Sequence, residues 1–166
     1  MPRAAVPLQA PPPVLDAAAR AALDALYADL ERELALGGAS CRACGSCCRL
    51  AEWGHELRVT PLELALLIER HGARAPAVPG VCPYLDGGRC SARSGRLLGC
   101  RAFHCGLPAT VVEDACARAF ERLRALHREL RIPCEQGDLL PSLERVADWG
   151  RGERDLQVGS NPATSE

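Results

Sequence analysis

Ten cysteines are the residues of this 166-residue chain whose type and spacing point most directly to chemistry. Four of them lie close together in the run Cys41-Arg-Ala-Cys44-Gly-Ser-Cys47-Cys48. A C-x2-C turn is short enough to direct both sulfur atoms at one metal ion, and Gly45 can take the positive φ that closes such a turn. Neighbouring side chains of an extended segment point to opposite sides, so we expect Cys47 and Cys48 to serve different sites or one of them to face the core.

A second group of four cysteines follows later in the chain, with C-x7-C, C-x9-C and C-x4-C spacings: Cys82, Cys90, Cys100 and Cys105. None of these spacings alone identifies a zinc ribbon, a rubredoxin or a ferredoxin. The first group begins like a bacterial ferredoxin, but the C-x3-C-P that should follow is missing. Asp86-Gly87-Gly88 is typical of a hairpin turn, which would bring Cys82 and Cys90 together.

The eight clustered cysteines suit two four-thiolate sites or one multinuclear site, provided that folding brings the two groups together. The second group is locally basic, and guanidinium groups favour the thiolate form that binds metals. A solvated basic loop is the alternative explanation of these charges. The basic residues of this segment are Arg89, Arg93, Arg96 and Arg101, with His104 nearby.

Helices are predicted to hold these two segments in place. An apolar stripe of helical period runs from Leu15 to Leu34, with a start near Asp16 and a stop at Gly37-Gly38. Thr60, Pro61 and Glu63 predict a capped helix that ends at Gly72. A third helix is expected over 108–131 and a short fourth over 139–149. The sequence thus predicts a mainly α domain of three to four helices around two irregular Cys-rich segments, with little or no β-structure.

The composition bounds the protein's class and location. Hydrophobic residues make up 48% of the chain, but 27 of them are Ala and 10 are Cys, and aromatic residues are 4%. Large core-forming side chains are therefore scarce. We expect a disordered segment over 1–13, a single Cys-cluster metal-binding domain over 14–150 and a disordered tail over 151–166. The net charge of -1 gives no general attraction for nucleic acid, and no segment is long and apolar enough to span a membrane.

The first residues lack the pattern of a secretory signal, so a cytoplasmic location is expected. Thiols stay reduced in that compartment, where clustered cysteines more often bind metal than form disulfides. Four thiolates suit zinc and iron equally, an iron–sulfur cluster included.

Both cysteine runs resemble the CxxCxxCC (YkgJ-like) cysteine-cluster family of bacterial zinc- or iron-chelating domains. The resemblance rests on CRACGSCC and on CPYLDGGRCSARSGRLLGCRAFHC, in that order, from Cys41 to Cys105. Arg93 and Arg96-Leu97 stand where the family usually has a Tyr and an Arg-Pro pair. The family's acidic residue between the two runs would correspond to Glu63. The resemblance implies metal binding through eight thiols: Cys41, Cys44, Cys47, Cys48, Cys82, Cys90, Cys100 and Cys105.

Two other functions remain open on the sequence. The first is a thiol redox or oxidant-sensing protein, because the arginines of the second segment favour reactive thiolates. The second is an iron–sulfur-dependent transferase, since a related cysteine segment occurs in flagellin lysine N-methylases. No catalytic constellation is evident, so the sequence does not indicate an enzyme, and no protein partner is identified. Further ligand candidates are Glu63, His104 and Cys134, whereas Cys116 is expected in the helical core.

Overall fold

The computed structural model describes residues 5–38, 41–103 and 106–146, and over these ranges the chain is mainly helical, which confirms the predicted fold class. The helices are α1 (Ala17–Ala35), α2 (Leu50–Trp53), α3 (Pro61–His71), α4 (Leu98–Ala102), α5 (Ala109–Glu129) and α6 (139–146). The strands are β1 (Arg58–Val59), β2 (Leu85–Asp86), β3 (Arg89–Cys90) and β4 (Gly137–Asp138). Strand β1 pairs antiparallel with β4, and β2 pairs antiparallel with β3.

The predicted helices begin and end where local sequence signals place them. Asp16 caps α1 by accepting a hydrogen bond from the Ala19 amide at 2.7 Å. Thr60 and Glu63 form both halves of the capping box of α3, and Gly72 ends that helix. Helix α5 falls within the predicted range 108–131. Residues 139–146 are helical as expected, while the predicted end of that helix at Trp149 lies outside the described residues.

Two hydrophobic cores share helix α3. The first core joins α1, α3 and α5, and its most deeply buried side chains include Leu23, Leu62 and Leu123. The second core packs α3 against the Cys-rich segments and α6, with Leu64 and Tyr84 among its members. Helix α3 is therefore buried on opposite faces, which explains its nearly continuous apolar sequence.

Part of the N-terminal segment that was predicted to be disordered packs against β4 and α6. The Val6 carbonyl accepts a hydrogen bond from the Asp138 amide at 2.7 Å, and the Leu8 amide donates to Ser142 Oγ at 3.0 Å. The Leu8 side chain is 1% exposed. These contacts place residues 6–8 against the helical domain rather than outside it. The predicted tail over 151–166 lies outside the described residues.

No helix in the described part of the chain combines the length and the apolar character needed to cross a membrane.

Candidate metal centre

The first cysteine run folds into a tight turn that packs on the second. Gly45 has a φ of 71°, and residues Ser46–Cys48 form one turn of 3-10 helix behind it. A Cβ atom at Gly45 would lie 2.5 Å from Leu85 Cδ1 and 2.7 Å from the Gly88 carbonyl oxygen. Only glycine fits there, because the left-handed backbone and the close approach of the β2–β3 hairpin both exclude a side chain.

Backbone pairing joins the two cysteine runs directly. The Cys82 amide donates to the Cys48 carbonyl at 2.8 Å, and the Ala51 amide donates to the Gly80 carbonyl at 3.0 Å. An antiparallel bridge between Arg49 and Val81 lies between these bonds. The pairing fixes Cys82 beside Cys48, although the two are far apart in sequence.

The predicted hairpin at Asp86-Gly87-Gly88 is confirmed. Strands β2 and β3 pair with Leu85 opposite Cys90, and the two turn glycines have φ values of 53° and 77°. Two consecutive positive φ values are the signature of a type I′ turn. The hairpin returns Cys90 toward the position of Cys82.

Five cysteines line one small cavity between α3, α4 and the two irregular segments. The volume of the cavity is about 30 Å³, and apolar side chains such as Leu67, Leu97 and Leu139 complete its walls. This volume has room for one ion or water molecule. The cysteines that line it are Cys47, Cys48, Cys82, Cys90 and Cys100.

We expected Cys47 and Cys48 to serve different sites or one of them to face the core, and Cys48 is buried while Cys47 is half-buried, but both line one cavity. The expectation of different sites rested on local backbone geometry. It assumed an extended backbone, in which adjacent side chains diverge by half a turn. The backbone instead forms a 3-10 turn, where adjacent side chains are about a third of a turn apart. Both cysteines therefore reach the same cavity.

Hydrogen bonds between thiols set the protonation of this group. The Cys48 thiol lies beside those of Cys47, Cys82 and Cys90, and sharing its single S–H proton with these neighbours raises the pKa of Cys48. The same sharing lowers the pKa of Cys47 to about 7 and that of Cys90 to about 6, and it lowers the pKa of Cys82 as well. Burial raises the pKa of the Cys100 thiol, and the neighbouring Cys82 adds to that effect. Crowded thiolates repel one another, and a proton shared among several sulfur atoms reduces that repulsion.

The other clustered cysteines lie apart from this cavity or outside the described residues. Cys41 and Cys44 line a neighbouring cavity, where Cys44 is exposed. Burial opposes ionisation of Cys41, but a hydrogen bond from Arg93 Nη1 at 3.5 Å and one from the Ala43 backbone outweigh it, so the pKa of Cys41 is lowered. Cys105 and His104 lie outside the described residues.

A charge network links α1 to the cysteines. Arg96 is 9% exposed and lines the cavity, while its Nη2 donates to Glu31 Oε1 at 2.7 Å. Arg101 also pairs with Glu31, and its guanidinium lies 4.3 Å from the centre of the Tyr27 ring. The positive charge of Arg96 lowers the pKa of Cys47 and Cys90, in addition to the larger effects of Cys48 and burial. Sequence reasoning missed Glu31 because its partners lie far along the chain.

Both carboxylate oxygens of Glu63 are used in hydrogen bonds that stabilise the fold. Its Oε2 accepts from the Thr60 amide and hydroxyl, and its Oε1 accepts from Tyr27 Oη at 3.1 Å and from the Leu98 amide at 2.7 Å. Burial raises the pKa of this carboxyl group. With both oxygens used, Glu63 positions the start of α4, which carries Cys100.

The remaining two cysteines line neither of these cavities. Cys116 packs against the first hydrophobic core, as expected, and Cys134 is exposed.

Within the described ranges, no set of three or more His, Cys, Asp or Glu side chains is arranged as a ready metal site. The donor chemistry nevertheless fits a thiophilic metal, because five sulfur atoms and no carboxylate line the cavity. The thiols are therefore gathered at one place but not arranged as a ligand shell.

A scan against protein-family models, a search of curated proteins and a search of solved structures each found no match to this chain.

Proposed function

We propose that this protein binds zinc or iron through cysteine thiolates at the cavity between α3 and α4. The proposed ligands come from a core set of five thiols that line the cavity. Four of them interact with one another, namely Cys47, Cys48, Cys82 and Cys90, and the fifth is Cys100. Cys41, Cys44 and Cys105 belong to the wider set of eight that the sequence predicts. The cavity volume favours a single ion over an iron–sulfur cluster.

The observation that carries the proposal is the convergence of two distant cysteine runs on one apolar cavity. Packing alone does not account for it, because buried thiols that crowd one another repel when they ionise. A bound cation removes that repulsion, since it replaces the shared proton of Cys48. Thiolate ligation is favoured at this place because Cys47, Cys82 and Cys90 already have lowered pKa values.

The proposed role of the metal is structural. A bound ion would connect the first cysteine turn, the β2–β3 hairpin and α4 at one point, where few large apolar side chains are available to do so. Arg96 would offset part of the negative charge of the thiolates. We propose the cytoplasm as the compartment, because these thiols must stay reduced to bind metal.

The test is the metal content of anaerobically purified protein and of two matched variants. Cys48→Ser removes the thiol that contacts three others, whereas Cys134→Ser makes the same chemical change at an exposed cysteine outside the cavity. We expect about one equivalent of zinc or iron in the parent protein and in Cys134→Ser, and a loss of about tenfold or more in affinity for Cys48→Ser.

Two results would contradict the proposal: parent protein that is free of zinc and iron, or equal metal content in the two variants. Intense visible absorption with several iron atoms per chain would show a cluster in place of a single ion.

A thiol redox function is a second candidate, favoured by the position of Cys41 and Cys44 at the neighbouring cavity. Cys44 is exposed, and Arg93 contacts the Cys41 sulfur atom. With hydrogen peroxide as oxidant, two thiols would form one disulfide while the peroxide is reduced to two molecules of water. Reversible loss of two free thiols, absent in Cys44→Ser and unaccompanied by metal release, would support this function over metal binding alone.

A further inference from the structure

A second cavity of about 190 Å³ adjoins the thiol cavity and has one wall, formed by Trp53, His55 and Phe103, that contains none of the proposed metal ligands. The two cavities share Cys47, Cys90 and Arg96. The first cysteine turn, the end of α2 and the end of α4 complete the walls of the larger cavity, so it lies where three elements meet.

One wall of this larger cavity is aromatic. Trp53 is 62% exposed and Phe103 is 40% exposed, and both line the cavity in a chain that has six aromatic residues in total. The His55 ring lies 4.2 Å from the centre of the Phe103 ring, and His55 Nε2 is 3.2 Å from the Cys47 carbonyl oxygen. Exposed rings at one concave place favour a planar apolar partner.

The other wall carries arginines and thiols. Arg42, Arg93 and Arg96 line the cavity together with four cysteines, and none of the described residues that line it is Asp or Glu. Arg93 is exposed, and its one hydrogen bond among the described residues joins Nη1 to the Cys41 sulfur atom at 3.5 Å. Its other N–H groups can therefore donate to an anion in the cavity.

We propose that this cavity binds a small aromatic carboxylate, with its ring against Trp53 and Phe103 and its carboxylate toward Arg93. A planar carboxylate matches the geometry of a guanidinium group. The cavity is smaller than the roughly 300–1,000 Å³ of pockets for larger ligands, which argues against a nucleotide. The proposal goes beyond metal binding, and it rests on this second cavity rather than on an ion in the first.

Benzoate is the probe, and its neutral isostere benzamide is the matched ligand. The chain has two tryptophans, so Trp149→Phe leaves Trp53 as the fluorophore beside the cavity. We expect benzoate to change the Trp53 fluorescence saturably, with a dissociation constant of about 1 mM or tighter, and calorimetry to give the same constant. Benzamide should bind about tenfold more weakly, because it cannot form the charge-assisted hydrogen bonds.

Two variants, Arg93→Gln and Arg89→Gln, distinguish binding inside the cavity from a general effect of positive charge on the surface. Both residues are exposed arginines of the second segment, but Arg89 does not line the cavity. We expect Arg93→Gln to weaken benzoate binding by about tenfold and Arg89→Gln by about twofold or less. Absence of saturation by both methods, equal affinity for benzamide, or equal effects of the two variants would each overturn the proposal.

Metal content is measured on the same samples, which keeps the two proposals separate. Metal-free protein that binds benzoate would overturn the metal proposal alone. Metal-loaded protein that does not bind benzoate would overturn the present one alone.

Discussion

At the scale of single residues, Cys48 has the largest influence on how the thiol group is protonated. Its single S–H proton is shared with three neighbouring sulfur atoms, and its carbonyl oxygen accepts from the Cys82 amide. One residue therefore controls both the protonation of the group and the pairing of the two cysteine runs. Because their pKa values are lower than that of Cys48, its neighbours are better nucleophiles and better metal ligands than Cys48 itself.

The pH dependence of alkylation tests this arrangement in metal-free protein. The hydrogen bond from Cys48 lowers the pKa of Cys90 to about 6, whereas partial desolvation raises the pKa of the exposed Cys134. Since only the thiolate reacts, modification of Cys90 by iodoacetamide should rise with pH through a midpoint near 6, and that of Cys134 at much higher pH. Site-resolved mass spectrometry measures both in one sample.

Cys48→Ala serves as the control for the cause of the low pKa. Without the donor, the midpoint for Cys90 should move to higher pH. Coincident midpoints for Cys90 and Cys134 in the parent protein would contradict the proposed hydrogen-bond network.

Glu63 is the second residue whose substitution gives a definite expectation. Four donors point at its two oxygens, and the residue is 3% exposed. Glu63→Gln replaces one acceptor oxygen by an NH₂ group and leaves a buried donor unpaired, so we expect the free energy of unfolding to fall by about 1–3 kcal/mol. Chemical denaturation measures it, with the exposed Glu121→Gln as the control. An effect no larger than that of Glu121→Gln would contradict the structural role of Glu63.

At the scale of elements, the turn at Gly45 joins the two cysteine segments. Its backbone lies in the left-handed region, and an added Cβ atom would lie 2.5 Å from Leu85 Cδ1 of the β2–β3 hairpin. Gly54 also has a positive φ, at the end of α2, but no atom lies within 4 Å of the place of its Cβ. The two glycines share a backbone conformation and differ in what a side chain would meet.

This difference predicts unequal effects for Gly45→Ala and Gly54→Ala. Both variants lose about 1–2 kcal/mol from the left-handed backbone conformation. Gly45→Ala must also displace the hairpin, so it should be the less stable variant and should bind less zinc or iron. Thermal unfolding and elemental content measure the two effects. Equal stability and equal metal content would show that the hairpin contact does not shape the site.

Local signals predicted most of the helical elements, and long-range contacts account for what the sequence did not predict. Two signals act within a few residues: the capping box at Thr60 and Glu63, and the glycines of the β2–β3 turn. A short stretch of sequence is therefore enough to predict the structure that each of them forms. The pairing of 80–82 with 48–51 joins residues that are far apart in the sequence, so no local pattern predicts it. The same holds for Glu31, which reaches the cysteines from α1.

The candidate site was predictable in its residue types and less so in its geometry. The metal-binding prediction required the two cysteine runs to meet, and one cavity is lined by residues of both runs. It did not predict that Cys47 and Cys48 share one cavity, because their 3-10 turn has no distinctive sequence signal. It also did not separate Cys41 and Cys44 from the other thiols, since a C-x2-C spacing does not specify which cavity its sulfur atoms enter.

At the scale of the whole molecule, the two hydrophobic cores differ in what completes them. The first core is closed by long helices, with α1 packed along α5. The second includes three cysteines, Cys82, Cys90 and Cys100, as partly buried members around its Leu and Tyr side chains. A metal at the thiol cavity would therefore stabilise the second core more than the first.

Metal removal should accordingly loosen the protein unevenly. We expect anaerobic treatment with a chelator to increase amide hydrogen exchange over 41–51 and 80–102, while α1 and α5 keep most of their protection and their circular dichroism. Exchange followed by mass spectrometry resolves these segments. Uniform loss of protection across all helices would contradict the division into two cores.

The most direct test of the central claim is metal K-edge X-ray absorption on protein purified without oxygen. We expect zinc or iron with a first shell of sulfur atoms alone, at about 2.3 Å for zinc. That sulfur shell should persist in Cys134→Ser and lose sulfur in Cys48→Ser. A shell dominated by nitrogen or oxygen, or protein that carries no zinc or iron, would contradict the claim.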